Sequence, residues 1–180
     1  MTVNPVQPKL VLITGPSGAG KSVTAAKVAA GWPGTCALLS HDGIRTNIKS
    51  GYADPATAWD GEAERQWELA KHVAAAMTRA YLSSRISVVL EAFATPPDLP
   101  GWMELLEGIE TIVIVLLPSI EVTLARNSGR RGIKGLRASD VKQNYAWSEG
   151  WAGAPEATII DSGSSDVADV ARKILLLAAT

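Results

Sequence analysis

The chain is expected to fold as an open five-stranded parallel α/β sheet with helices on both faces, in a single domain. Three observations predict it. Five short apolar runs of strand length alternate with longer stretches of helix-forming sequence. The first run breaks into a glycine-rich turn at residues 15–22, and helix formers follow at once. A length of 180 residues with 47% hydrophobic residues suits one domain with a full core and is short for two.

The elements follow in order. Residues 9–14 are almost continuously apolar, as in a strand buried on both faces. A helix runs from Lys21 through Val23, Ala26 and Ala30, with Gly31 suited to its C-cap and Pro33 just beyond. Residues 36–39 form a second strand ending in Ser40, His41 and Asp42, then a short helix over 43–49 and a loop over 51–55. Asp60 caps a long helix with Glu62 and Glu64 in its first turn; Ala63, Trp67, Ala70, Ala74, Met77 and Tyr81 make its apolar face. Residues 86–90 form the third strand, leading to Glu91 and a proline-rich loop over 95–100. A short helix over 102–106 precedes the fourth strand, 111–117, which Pro118 stops. Ser119 caps a helix through Arg126, and residues 127–137 are a glycine-rich basic loop. Ser139 or Asp140 opens the next helix, toward Trp147. Ala157–Ile160 is the fifth strand, and a closing helix over 166–177 turns Val167, Val170, Ile174 and Leu177 inward. No repeat, low-complexity tract or linker divides residues 1–180.

Residues 15–22 read G-P-S-G-A-G-K-S and match G-x-x-x-x-G-K-[ST] in full at Gly15, Gly20, Lys21 and Ser22. Gly15, Gly18 and Gly20 let the backbone turn tightly enough for successive N–H groups to face one concave nest. The helix that follows presents its positive end to the same spot. Lys21 adds a charge for the outer phosphates, and the Ser22 hydroxyl can ligate Mg²⁺. The whole segment, Gly15, Pro16, Ser17, Gly18, Ala19, Gly20, Lys21 and Ser22, is therefore expected to hold the phosphates of a nucleotide. The plain alternative is a glycine-rich turn with no ligand.

In such sheets ligands bind beyond the carboxyl ends of the strands. The second strand brings Asp42 and Arg45 there, the third Glu91, and the fifth Asp161, Ser162 and Gly163. By its place alone Asp42 can cap the helix at Gly43. Its neighbour His41 points the other way, and His72 lies off the apolar helix face in solvent. Residues 161–163 form a turn near the nucleotide base or simply lead into the last helix. Arg126, Arg130, Arg131, Lys134 and Arg137 are either a solvated basic loop or a mobile lid around 127–138. Of the six tryptophans, Trp32, Trp67 and Trp102 suit packing, whereas Trp59, Trp147 and Trp151 stand near loops where an acceptor pocket would lie.

On these residues the chain resembles the P-loop kinase group of small phosphotransferases, which includes gluconate, adenylylsulfate and polynucleotide kinases and the chloramphenicol phosphotransferases. The motif of residues 15–22 and the D-x-x-R of Asp42 and Arg45 carry the resemblance, and the element order extends it over nearly the whole chain. It implies a P-loop NTP hydrolase fold of the nucleotide-kinase type, with ATP as donor and Mg²⁺ as cofactor. It also implies that Asp42 faces the acceptor hydroxyl as base and that Arg45 orients acceptor or phosphate. Arg126 and Arg130 would close over the triphosphate, with Lys21 and Arg130 joining Asp42 in catalysis. Glu91 takes the place where such proteins usually carry an aspartate that supports Mg²⁺, and as a glutamate it either does so through water or binds the acceptor.

A formal net charge of −1 gives no global pull toward nucleic acid or membrane. Cys36 is the only cysteine, so no internal disulfide forms, and it suits a small core site. The first residues lack a signal-peptide pattern and the apolar runs are too short to span a bilayer, so the protein is expected in the cytoplasm. The expected activity is phosphoryl transfer from ATP to a hydroxyl of a small molecule. A polynucleotide 5′-hydroxyl kinase and a nucleotide-dependent switch are the alternatives. A guanine-reading N-K-x-D is missing, and the D-x-x-G of Asp98 to Gly101 stands in a proline-rich loop.

Overall fold

A computed structural model describes residues 7–129 and 136–179. Five parallel strands run in the order β2-β3-β1-β4-β5: β1 Leu10–Thr14, β2 Cys36–Ser40, β3 Ser87–Glu91, β4 Thr111–Leu116 and β5 Ala157–Ile160. The helices are α1 Lys21–Ala30, α2 His41–Arg45, α3 Gly61–Ser83, α4 Leu99–Leu105, α5 Ile120–Ser128, α6 Ala138–Glu149 and α7 Val167–Ala178.

β1 lies at the centre of the sheet and every one of its residues is buried. Leu10 and Leu12 join a core with Ala74 of α3, Leu90 and Trp102 of α4. Val11 and Ile13 join another with Val28 of α1 and Ile174 of α7. Successive residues thus serve opposite faces, and both faces are covered by helices, which is why the run is apolar without alternation. Each such side chain contributes about 1.5–3 kcal/mol by leaving water.

The caps form largely as expected. Asp60 accepts from the Glu62 and Ala63 N–H groups, Ser119 from Val122, and Gly31 closes α1. α2 differs: it begins at His41, because the Ser40 hydroxyl accepts the Gly43 N–H at 3.1 Å. Asp42 therefore sits in the first turn and leaves the capping to Ser40, so its own carboxylate remains available. α4 starts at Leu99, and α5 continues through Ser128, into the stretch expected as loop. In α7 the inward face is Val170, Ala171, Ile174 and Ala178, while Val167 is 37% exposed beside its Asp166 cap. Trp151 is fully buried, as is Trp102. No helix among the described residues is long and apolar enough to cross a membrane.

Candidate active site

The turn after β1 has the shape its glycines predicted. Gly15, Gly18 and Gly20 all have positive φ, at 134°, 90° and 89°. A Cβ on Gly15 would overlap the Leu116 carbonyl of β4, and one on Gly18 would lie 2.7 Å from the Thr123 carbonyl oxygen. Gly20 caps α1 without a side-chain hydrogen bond, so no side chain of the cap residue covers the helix N-terminus. Lys21 curls back over the turn, its Nζ donating to the Gly15 and Pro16 carbonyls at 2.8 and 3.0 Å. The same Nζ lies 6.0 Å from the centre of the Phe93 ring, just beyond β3. Ser22 is exposed in the first turn of α1.

Beside this turn is a cavity of about 230 Å³ lined by Gly20, Thr24, Arg126, Ser162, Ser165 and Val170, among others. Arg126 donates from Nη2 to the Ser162 carbonyl at 3.0 Å, while the Ser162 hydroxyl donates to the Ala19 carbonyl at 2.8 Å. The segment after β5 is thereby tied to the glycine-rich turn and to α5. Asp161 accepts from the Gly163 N–H and the Ser164 hydroxyl, which hold its carboxyl below the usual range and fold residues 161–164 into a tight turn. Arg137 caps α6. Arg130, Arg131 and Lys134 of the expected lid lie outside the described residues.

Two strands away, the end of β2 forms a second polar group. The Asp42 carboxylate is 71% exposed and accepts from Arg45 Nη2 at 3.0 Å, whereas the Arg45 side chain is 7% exposed. The guanidinium lies 4.9 Å from the Trp67 ring and 5.6 Å from that of Tyr52, near enough for cation–π attraction to both. Gln66 supports this arrangement: it donates to the Gly51 carbonyl and accepts the Ala53 N–H, pinning Tyr52 between them. His41 is fully buried between Trp67 and Trp102, with Nε2 3.1 Å from the Trp67 carbonyl. Burial pushes its pKa below the ordinary histidine value, so near neutral pH the ring is uncharged. Glu91 ends β3, opposite Ile13 of β1 and Ser40 of β2 in the ladder, and so stands between the two groups. Among the described residues, its Oε2 is buried without a hydrogen-bond partner, as are Nε and Nη1 of Arg45.

The AAA domain profile matches residues 10–146, most of the chain. The chain belongs to the AAA domain family. Solved structures with the same fold include a sugar kinase from Janibacter sp. HTCC2649, 18% identical, with 94% of this chain and 93% of that one aligned at a TM-score of 0.67. A gluconokinase from Sinorhizobium meliloti 1021 is 21% identical, covering 96% and 93% at a TM-score of 0.64. A shikimate kinase from Acinetobacter baumannii, solved with shikimate, is 19% identical, covering 96% and 93% at a TM-score of 0.65. No curated protein matches the sequence significantly. Its strand order and glycine-rich turn give it the fold of these P-loop kinases.

For an AAA domain of kinase fold, the donor set fits Mg²⁺ with a nucleotide. Ser22 offers an exposed hydroxyl at the P-loop, and Glu91 offers a carboxylate oxygen that no group among the described residues engages. Several residues of the region escaped the sequence reading. Thr14 exchanges hydrogen bonds with both the N–H and the carbonyl of Ala94, and Trp151 Nε1 donates to the same carbonyl at 3.3 Å. Trp151 is thus a fully buried tie to Ala94 in the segment that follows β3. Gln66, Phe93 and Ser162 carried no motif; only Ser162, next to the strand-five Asp161, had a positional signal.

Proposed function

We propose that the chain is an ATP-dependent phosphotransferase that moves the γ-phosphate of Mg-ATP to a hydroxyl of a small molecule, with Asp42 as the base. One observation carries this reading. Asp42 presents an exposed carboxylate, fixed by the buried Arg45, with only β3 between its strand and the strand that leads into the P-loop. A donor half and an acceptor half then share one edge of the sheet.

In this reading the N–H groups of residues 15–22 cradle the phosphates, and Lys21 exchanges the Gly15 and Pro16 carbonyls for phosphate oxygens. Arg126, and Arg130 by its place in the sequence, add positive charge from the α5 side. Ser22, with Glu91 through water, would hold Mg²⁺, which neutralises charge developing on the phosphates. Asp42 accepts the acceptor's hydroxyl proton as that oxygen bonds to the γ-phosphorus and the bond to the ADP oxygen breaks. The products are ADP and a phosphate ester. Arg45 holds Asp42 in place and contacts the acceptor.

The test is a pair of variants assayed with an acceptor found by screening for ATP consumption. Lys21→Ala is expected to abolish nucleotide binding or turnover. Asp42→Asn is expected to bind ATP nearly as the wild type does while transfer falls by about 10²–10⁴. Transfer at the wild-type rate in Asp42→Asn would sink the base assignment. A steep loss of acceptor binding with rising salt would favour a polynucleotide 5′-hydroxyl as acceptor instead. Slow hydrolysis that no acceptor stimulates would favour a nucleotide switch.

A further inference from the structure

We propose that the acceptor is an uncharged polyhydroxylated compound, a sugar or cyclitol, held by paired hydroxyls between Arg45 and Glu91. This rests on the kinase reading above and narrows its acceptor. Two observations carry it.

The first is a pair of complementary vacancies in hydrogen bonding. Arg45 has two buried donor atoms, Nε and Nη1, that meet no acceptor among the described residues, and Glu91 has one buried acceptor atom, Oε2, that meets no donor. Glu91 ends β3, and Arg45 closes the short helix that follows β2, whose last residue Ser40 is the ladder partner of Glu91. A buried donor or acceptor atom without a partner is costly, so these three atoms suit groups that arrive with a ligand. A hydroxyl is the small group that both donates and accepts. Adjacent hydroxyls on one carbon framework can therefore accept from Arg45 and donate to Glu91 together. A carboxylate or phosphate only accepts.

The second is the charge of this corner. Among the described residues, Asp42 and Glu91 bring two carboxylates to these strand ends, and the guanidinium of Arg45 already pairs with Asp42. Lys71 is matched by Glu68 at 3.0 Å, and the buried His41 is uncharged near neutral pH. An anionic acceptor could satisfy Arg45 only by bringing its charge beside two carboxylates. A neutral polyol meets no such repulsion. The rings nearby suit it too, because Trp59 is 58% exposed and stands edge-on to Trp67 at 5.6 Å, leaving an indole face for a sugar's C–H surface. The half-buried Tyr52 ring beside the guanidinium is the group that must shift to admit a ligand.

The experiment uses the full chain with Mg-ATP and matched acceptors. Neutral hexoses and cyclitols are compared with the corresponding aldonic acids, uronic acids and sugar phosphates, and with a 5′-hydroxyl oligonucleotide. Phosphorylated product is measured by mass, and binding is measured separately by calorimetry in the presence of a non-hydrolysable ATP analogue. At least one neutral polyol is expected to exceed its acidic counterpart in kcat/KM by about tenfold or more, the factor expected from one hydrogen bond to a charged group. Glu91→Gln should raise the polyol KM by a similar factor, and polyol binding measured with the ATP analogue already saturating should weaken by that factor too. The binding arm should show the same preference for the neutral compound if turnover is slow. Preference for the acids or the oligonucleotide overturns the proposal, as does an absence of polyol binding. So does a Glu91→Gln variant whose only defect is in Mg-ATP. If some other alcohol is phosphorylated while polyols are not, the polyol proposal falls and the kinase reading stands. If no ATP analogue binds, the kinase reading itself falls.

Discussion

Replacing Gly15 by alanine tests the P-loop at its most constrained point. The residue meets two separate penalties. Its φ of 134° lies where side chains are rarely tolerated, a strain worth about 1–3 kcal/mol. Its new Cβ would also overlap the Leu116 carbonyl, which is main chain of β4 and cannot rotate away as a side chain would. β4 is laddered to β1 through Thr14 and Val115, one residue earlier on each strand, so relief must come from the sheet itself. Overpacking of that kind adds about 1–3 kcal/mol. Gly34 separates the two effects, because its φ is 130° yet nothing lies within 4 Å of a Cβ there. Urea denaturation followed by tryptophan fluorescence should therefore show Gly34→Ala losing only the strain, about 1–3 kcal/mol. Gly15→Ala should lose clearly more, about 2–6 kcal/mol, a large share of a typical domain's stability. Failure of Gly15→Ala to fold while Gly34→Ala folds is the extreme of the same result. Calorimetry should show ATP-analogue binding lost with Gly15→Ala and kept with Gly34→Ala. Equal destabilisation by the two variants would refute the steric argument.

Trp151→Phe removes the indole N–H that reaches the Ala94 carbonyl and should cost about 1–3 kcal/mol in urea denaturation, whereas Trp147→Phe, at a half-exposed site, should stay within about 0.5 kcal/mol. His41 is buried uncharged with its pKa below the ordinary value, so the unfolded chain binds its proton first as pH falls. Its stabilising contribution is complete above about pH 6.5 and is lost below it; stability should fall between about pH 7 and 5, and His41→Leu should flatten that window. Burial pushes the Cys36 thiol up to about 11, so alkylation of the native protein should be slow at pH 8 and accelerate on adding urea. Equal rates with and without urea would contradict that burial.

What was legible in the sequence was local. Gly15, Gly20, Lys21 and Ser22 are neighbours, and the phosphate nest they form needs only their own torsions and the helix that follows. The strands were readable because a sheet covered on both faces leaves continuous apolar runs, such as Leu10–Thr14. Caps at Asp60 and Ser119 were readable because each acts within its own turn. The start of α2 was misplaced by two residues for a related reason: Ser40 and Asp42 both suit a cap, and only the backbone geometry chose Ser40.

The acceptor corner was not legible, because its parts meet only in space. Arg45 takes its position from Trp67 and Tyr52, which belong to a later helix and the loop before it. Thr14 and Ala94 are 80 residues apart, and Ser162 and Ala19 are 143 apart. Nothing in D-x-x-R says that the arginine will be buried, or that a glutamate on the next strand will lack a donor. Yet that burial limits the chemistry. A solvated arginine would accommodate many anions, whereas one enclosed by two rings, facing Asp42 and one strand from Glu91, must match both its own donors and nearby negative charge. Arg45→Lys separates these views. A compact ammonium keeps the charge but loses the planar pair of donors, so polyol KM should rise by about tenfold or more with ATP binding unchanged. If lysine instead supported the wild-type KM, charge alone would be sufficient, and hydroxyl pairing would not be the basis of recognition.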